Sequence, residues 1–194
     1  MVNRAIMDLA VSIGGQDTWA QICRQAGLPF QSFSNTTVYD DAVTYDLVAA
    51  AADVLDLDPA DVLEQFGRHW ILFTGREGWG PLFDMAGDTL LDFVEGLDTL
   101  HARVQASMPE CRMPSFSVTR ADDGVLTVAY QSDRHGLAPM VLGLLGGLAE
   151  HFDEDWEIEH LGPAGDAAGD GQAEIFSLRP LDAAVGASRS VGTV

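Results

Sequence analysis

The sequence predicts an α+β fold, in which a helical N-terminal lobe is followed by a lobe with a small antiparallel sheet and a further helix. Two observations carry this prediction. Up to about Pro109, apolar side chains recur at the spacing of helix faces. After Pro109, short segments alternate apolar and polar residues, as half-buried strands do. With 194 residues, 47% of them hydrophobic, the chain is long enough for one globular domain.

The N-terminal helices are separated by glycine, proline and capping residues. Residues 1–27 are predicted to be helical, with a break at Gly14–Gly15. Residues 45–55 form an alanine-rich segment of high helix propensity. The next helix begins with Asp58 as its N-cap and Pro59 at its first position.

The second half of the chain contains the predicted strands. The turn signal Asp122–Gly124 separates the first two strands and predicts a hairpin. The strands are expected at residues 114–118, 125–130, 156–160 and 175–178, and a helix at residues 137–152. Residues 162–172 are predicted to form a loop, and the aperiodic tail 181–194 to be disordered.

The composition argues against several classes of partner. Lys and Arg number 10 and Asp and Glu 30, for a net charge of −20, so the surface repels nucleic acids and anionic membranes. No apolar run reaches membrane-spanning length, and Asp8 interrupts the pattern of a signal peptide, so we expect a cytoplasmic protein. Cys23 and Cys111 are expected to be reduced.

Residues 90–109 form the most informative predicted helix, because a histidine lies on its apolar face. The apolar stripe consists of Leu90, Val94, Leu97, Val104 and Met108, and His101 falls on it. A neutral imidazole that points into an apolar interior needs a partner, because an unpaired buried polar group is costly. The partner is either a metal, such as the iron of a haem, or a backbone carbonyl.

A second candidate site is the segment Tyr130-Gln-Ser132-Asp-Arg134. On an extended strand, side chains two residues apart point to the same face, so Tyr130, Ser132 and Arg134 would present two hydroxyls and a guanidinium together. Such a set suits a carboxylate, which arginine binds through two parallel hydrogen bonds. The alternative is a strand end at which the tyrosine packs while the serine and arginine face water.

These motifs together resemble one known family. The histidine helix LDTLHARV, the segment Pro114-Ser-Phe116 and the segment YQSDR are similar to the haem nitric-oxide/oxygen binding (H-NOX) family, above all to the haem domain of the soluble guanylate cyclase β subunit. Further similar segments are VNRA near the start, 39–57, 63–67 and 136–145. The resemblance covers roughly residues 1–180.

The resemblance implies a haem b (iron protoporphyrin IX) between a distal lobe, about residues 1–62, and a proximal lobe, about residues 63–180, with a four-stranded antiparallel sheet. It makes His101 the axial ligand of the iron and Pro114 the residue that presses on the porphyrin and distorts it. It assigns the haem propionates to Tyr130, Ser132 and Arg134.

The resemblance also predicts which gas is bound. Members that hold O₂ use a tyrosine hydroxyl at the position that Met140 occupies here, and methionine cannot donate a hydrogen bond. The expected apolar pocket is completed by Val2, Ile6 and Leu144. We therefore expect binding of nitric oxide, weaker binding of CO and exclusion of O₂. Trp70 is placed near the distal wall, where its indole N–H is an alternative donor.

The implied function is a stand-alone gas sensor rather than an enzyme. Nitric oxide would weaken and break the bond between the iron and His101, the haem would relax from the distortion held by Pro114, and the histidine helix would shift. The expected effector is a separate protein, such as a histidine kinase or a cyclic-dinucleotide enzyme. The alternatives are a haem enzyme, either a peroxidase or a protein that detoxifies nitric oxide, and a haem-free interaction module.

Overall fold

The computed structural model describes residues 2–29, 32–33, 39–74, 80, 83, 85–107, 109, 112–165 and 173–181. Its helices are α1 (Val2–Gln25), α2 (Asp41–Leu55), α3 (Pro59–His69), α4 (Leu90–Ser107) and α5 (Ala138–His151), and a π-helical turn, Trp70–Thr74, continues α3. Its strands are β1 (Ser115–Arg120), β2 (Leu126–Gln131), β3 (Trp156–Pro163) and β4 (Glu174–Pro180). The α+β fold class is thereby confirmed. The predicted disordered tail lies outside the described residues, apart from Leu181.

Local capping explains where the early helices begin. The Asp58 carboxylate accepts from the N–H of Ala60 at 2.8 Å, and Pro59 follows it, as predicted. Helix α2 begins at Asp41 rather than at residue 45, because Asp40 caps it by accepting from the N–H of Ala42 at 2.9 Å. This earlier start brings the first turn of α2 into the candidate site.

The sheet has the strand order β1-β2-β4-β3, and all of its pairings are antiparallel. Gly124, with φ 85°, lies in the turn of the predicted hairpin between β1 and β2. The strand β3 extends to Pro163, so the predicted loop begins later than residue 162. Between His160 and Gly162 the register of β3 against β4 shifts, which marks a β-bulge.

The buried apolar side chains form two clusters. The first lies among α1, α2 and α3 and includes Trp19, Leu47 and Phe66. The second lies between the inner face of the sheet and helices α4 and α5, and includes Phe176. Trp70 packs against both clusters. No helix in the described ranges is long and apolar enough to cross a membrane.

Helices α3 and α5 cross so closely that two positions admit only glycine. A Cβ on Gly67 would collide with the carbonyl of Met140 and would lie 2.8 Å from the amide nitrogen of Leu144. A Cβ on Gly143 would collide with the backbone of Glu64. The contact fixes the position of the α5 segment that carries Met140 and Leu144.

Candidate functional site

His101 lies on α4, and its imidazole is oriented by the residue that precedes β1. Its Nδ1 is 3.0 Å from the carbonyl oxygen of Pro114. Because a carbonyl can only accept, Nδ1 carries the proton and the lone pair of a neutral ring is on Nε2. Within the described residues Nε2 has no hydrogen-bond partner. The sequence left a haem iron and a carbonyl as alternative partners of the imidazole. This geometry allows both at once, because Nδ1–H donates to the carbonyl and Nε2 remains for a metal, as is common for metal-binding histidines.

The protonation state of His101 also suits a metal ligand. Burial lowers its pKa below the ordinary value of 6.5, against the opposing effects of the Pro114 carbonyl and the Asp98 carboxylate. The ring is therefore neutral at pH 7, and a neutral imidazole is the form that binds a metal.

Asp98, one helical turn before His101, attaches α4 to the sheet. Its carboxylate accepts from the backbone N–H of Phe116 on β1 at 2.8 Å. The helix and the strand are thus joined at two points, Asp98 to Phe116 and His101 to Pro114. The sequence analysis did not identify Asp98, although its spacing of three residues from His101 places both on one helix face.

Aromatic contacts lead from His101 across the sheet to Tyr130. The ring centroids of His101 and Phe116 are 5.8 Å apart, and those of Phe116 and Tyr130 are 5.2 Å apart. Burial raises the pKa of Tyr130, while its hydrogen bond with Ser132 and the charge of Arg134 oppose that rise. The hydroxyl of Tyr130 is therefore protonated at neutral pH and is available as a donor.

The predicted alignment of Tyr130, Ser132 and Arg134 along one extended strand is wrong. Strand β2 ends at Gln131, and the chain then turns, because the hydroxyl of Ser132 accepts from the N–H of Arg134 at 3.1 Å. The turn still brings Ser132 close to both Tyr130 and Arg134. Arg134 is partly exposed to water, at 39%, and its guanidinium pairs with Asp41 of α2 at 2.7 Å.

A small cleft of about 20 Å³ lies between α1, α2, α3 and the start of α5. Its apolar lining consists of Ile6, Leu63, Phe66, Leu137 and Met140. Its polar lining consists of Asp41, Thr44, Tyr45 and Arg134. The cleft therefore joins an apolar pocket to the guanidinium of the candidate carboxylate site.

The two hydroxyls that line the cleft already donate to protein acceptors. The hydroxyl of Thr44 donates to the side-chain carbonyl of Asn3 at 2.7 Å. The hydroxyl of Tyr45 donates to the backbone carbonyl of His135 at 3.0 Å. Neither hydroxyl proton is therefore available for donation to a ligand in the cleft. The sequence did not mark Tyr45 as a site residue, because its partner His135 is 90 positions away.

The remaining predicted site residues are placed as follows. Ile6 and Met140 line the cleft, whereas Trp70 and Leu144 are not among its lining residues. Trp70 lies in the π-helical turn, with its ring centroid 6.0 Å from that of Phe83. The side chain of Val2, and Met108 and Cys111, lie outside the described part of the structure, and Cys23 is buried with a free thiol.

Comparison with protein families gives one result. The sequence model of the family described as Haem-NO-binding matches residues 1–160. The chain is 29% identical over 174 residues to soluble guanylate cyclase gcy-37 of Caenorhabditis elegans, a match that spans 87% of the chain and 25% of that relative. It is 35% identical over 91 residues to the guanylate cyclase soluble subunit beta-2 of Rattus norvegicus, which is 47% of the chain and 13% of that relative. The chain therefore spans a quarter or less of the length of these cyclases.

Solved structures with the same fold are H-NOX proteins. A variant of T. tengcongensis H-NOX superimposes with a TM-score of 0.79 at 18% identity, covering 93% of this chain and 96% of that one. The Fe(II) unliganded H-NOX protein of K. algicida gives 0.78 at 19% identity, over 93% and 95% of the two chains. An oxygen complex of an oxygen-binding H-NOX domain gives 0.75 at 17% identity, over 92% of each chain. These likenesses establish the fold.

Proposed function

The chain belongs to the Haem-NO-binding family, and from this premise we propose that it is a haem-based sensor domain that binds nitric oxide and excludes O₂. The observation that carries the proposal is the imidazole of His101. Its Nδ1–H is taken by the Pro114 carbonyl, its pKa is lowered by burial, and the lone pair of Nε2 is left for an iron. A bound ferrous haem supplies the coordination position at which a small gas binds.

The residues of the chain fit a haem at both of its chemically distinct parts. His101 supplies the imidazole for the iron. Tyr130 supplies a protonated hydroxyl, Ser132 a second hydroxyl, and Arg134 the guanidinium for the propionates. Because the pair of Arg134 with Asp41 is partly exposed, a propionate can compete with Asp41 for the guanidinium. A direct contact between the ring of Pro114 and the porphyrin stays a prediction, as does the division into distal and proximal lobes.

The chemistry of the cleft supports selectivity for nitric oxide. Bound O₂ accumulates negative charge and gains from a hydrogen-bond donor, whereas nitric oxide needs little such help. Met140 and Ile6 supply no donor, and the hydroxyls of Thr44 and Tyr45 are engaged elsewhere. The fold does not decide between gases, because it is shared with an oxygen-binding H-NOX domain. We expect CO to bind more weakly than nitric oxide.

We propose that the signal leaves the site through α4. His101 would hold the iron through Nε2, while its Nδ1 and the Asp98 carboxylate join α4 to the sheet side at Pro114 and Phe116. A change at the iron would therefore reach β1 through α4, which also packs against the sheet through its buried apolar face. The proposed recipient is a separate effector, either a histidine kinase or a cyclic-dinucleotide enzyme.

The test is the absorption spectrum of the reconstituted ferrous protein alone, in air and with nitric oxide. We expect a spectrum typical of one histidine ligand, no change on brief exposure to air, and a large change with nitric oxide. His101→Gly should change the first spectrum, and added imidazole should restore it. A ferrous protein whose spectrum is the same with and without His101 would overturn the proposal.

A further inference from the structure

A continuous row of side chains on the inner face of the sheet begins at the candidate site and ends at a second histidine. Phe116, Tyr130 and Glu174 are successive cross-strand partners on β1, β2 and β4, so they share one face. His160 on β3 is the cross-strand partner of Phe176, two residues after Glu174, and its Nε2 is 2.8 Å from a carboxylate oxygen of Glu174. The ring of His160 stacks on Phe176, with centroids 4.9 Å apart.

The backbone and the core both hold this pair in place. The register shift between His160 and Gly162 is a local irregularity of the kind that re-aims a side chain. Phe176, on which the imidazole stacks, is fully buried. The side chains of His160 and Glu174 are only 30% and 32% exposed. The Glu174 carboxylate is therefore held by His160, while about a third of its side chain stays exposed to solvent.

Glu174 acts electrostatically on Tyr130. Burial is the largest cause of the raised pKa of Tyr130, and the Glu174 charge adds to it, while Arg134 opposes it. One hydroxyl thus lies in the fields of a carboxylate and a guanidinium. Among residues of the candidate site, Tyr130 is the one that connects the row to Ser132 and Arg134.

We propose that Glu174, held by His160, is a positioning residue of the propionate site, whose fixed negative charge lowers the reduction potential of the bound haem. This inference rests on the proposed function, because it needs the propionates at Tyr130 and Arg134. Ferric haem carries one more positive charge than ferrous haem, so a nearby carboxylate stabilises the ferric form. In this arrangement the carboxylate of Glu174 acts on the haem, and His160 keeps that carboxylate in place.

The experiment is spectroelectrochemical titration of the haem-reconstituted protein at a fixed neutral pH. Glu174→Gln keeps the size of the side chain and removes the charge, so we expect a shift of the reduction potential to more positive values. The matched control is Glu159→Gln, which removes the same charge from an exposed position on the other face of β3. We expect the control to leave the potential unchanged. Equal shifts in the two variants would overturn the proposal.

The role of His160 is tested by a double-mutant cycle. His160→Phe keeps a ring on Phe176 but removes the nitrogen that holds Glu174. In this background Glu174→Gln should shift the potential less, because the carboxylate is no longer held beside Tyr130. An undiminished shift would exclude His160 as the positioning group.

A vibrational measurement separates this inference from the proposed function. The resonance Raman band of propionate bending should move in Glu174→Gln and stay unchanged in Glu159→Gln. If the propionates lie where we propose, the same band should also move in Tyr130→Phe and in Arg134→Ala, whatever the role of Glu174. If Tyr130→Phe and Arg134→Ala leave the propionate band unchanged, the proposed haem site is wrong. If they move the band but Glu174→Gln does not, only the present inference fails.

Discussion

The guanidinium of Arg134 lies 2.7 Å from the carboxylate of Asp41, so the turn after β2 is tied to the first turn of α2. Both side chains are partly exposed, at 39% and 49%, and both line the cleft. A partly exposed ion pair contributes about 0–1 kcal/mol. The pair is therefore weak enough for another carboxylate to compete for Arg134.

Asp41→Asn should slow the loss of haem. The substitution removes a negative charge that competes with the propionates for Arg134, and we expect up to about a fivefold decrease in the dissociation rate, from the energy of an exposed ion pair. The rate is measured by transfer of haem to an excess of an apoprotein acceptor. Asp46→Asn, at an exposed position on the same helix, is the control. Faster loss in Asp41→Asn would show instead that Asp41 orients Arg134 for the propionates.

Asp98→Ala should destabilise the protein by about 0.5–1.5 kcal/mol, the value of one hydrogen bond. The variant leaves the N–H of Phe116 without its acceptor and frees the middle of α4 from β1. Urea unfolding at neutral pH measures the free energy of unfolding. Glu95→Ala, at an exposed position on α4, should change it little. A loss of the same size in both variants would contradict the role of Asp98.

Acidification should destabilise the haem-free protein through His101. Its pKa in the folded state lies below 6.5, the ordinary value, chiefly because of burial. As the pH falls below about 6.5, the unfolded chain binds a proton that the folded chain does not, so the free energy of unfolding decreases. Above that pH the contribution of His101 is fully present.

The measurement is urea unfolding between about pH 7.5 and about pH 5, a range that brackets the ordinary histidine pKa. His101→Gln should show a shallower dependence on pH than the wild type. His69 contributes in the same direction, since burial lowers its pKa too, so the variant will retain some slope. Identical slopes would mean that His101 titrates as it does in the unfolded chain.

Met140→Tyr should allow the ferrous protein to bind O₂. Met140 lies in the apolar part of the lining, and a phenol there would supply the donor that its apolar neighbours do not offer. We expect the ferrous spectrum of the variant to change reversibly in air, while that of the wild type does not. Met140→Leu, which adds no donor, should behave as the wild type. Reversible change in both variants would show that pocket volume matters more than hydrogen bonding.

Two glycines of α5 should respond in opposite ways to alanine. Gly143→Ala places a Cβ against the backbone of Glu64, so it should cost about 1–3 kcal/mol of overpacking. Gly146 has open space around the same position, so Gly146→Ala should be neutral or should stabilise the helix by up to about 1 kcal/mol. Thermal or urea unfolding distinguishes the two. Equal effects would contradict the close crossing of α3 and α5.

The sequence predicted the features that depend on near neighbours along the chain. The cap at Asp58, the hairpin turn at Gly124 and the helix of His101 each have a local signature in residue type or spacing. The family resemblance was confirmed over residues 1–160. These features suffice to predict the fold class and to identify His101 as the candidate iron ligand.

The contacts that complete the site could not be predicted from local sequence signatures. Arg134 meets Asp41, and Tyr45 meets the carbonyl of His135, across almost half of the chain, and no local pattern marks such pairs. The expectation that Tyr130, Ser132 and Arg134 share one extended face failed because the Ser132 hydroxyl competes for the backbone after β2 ends. Side chains that recruit backbone groups are a common reason for errors at the ends of elements.

Trp70 packs against both apolar clusters, and this position has an experimental consequence. Any sliding of α1–α3 over the sheet and its helices must alter the surroundings of that single indole. Trp70 is thus an intrinsic fluorophore that lies between the two apolar clusters. Its emission, isolated by comparison with a Trp70→Phe variant, can test the proposed gas-driven motion in solution without an attached dye.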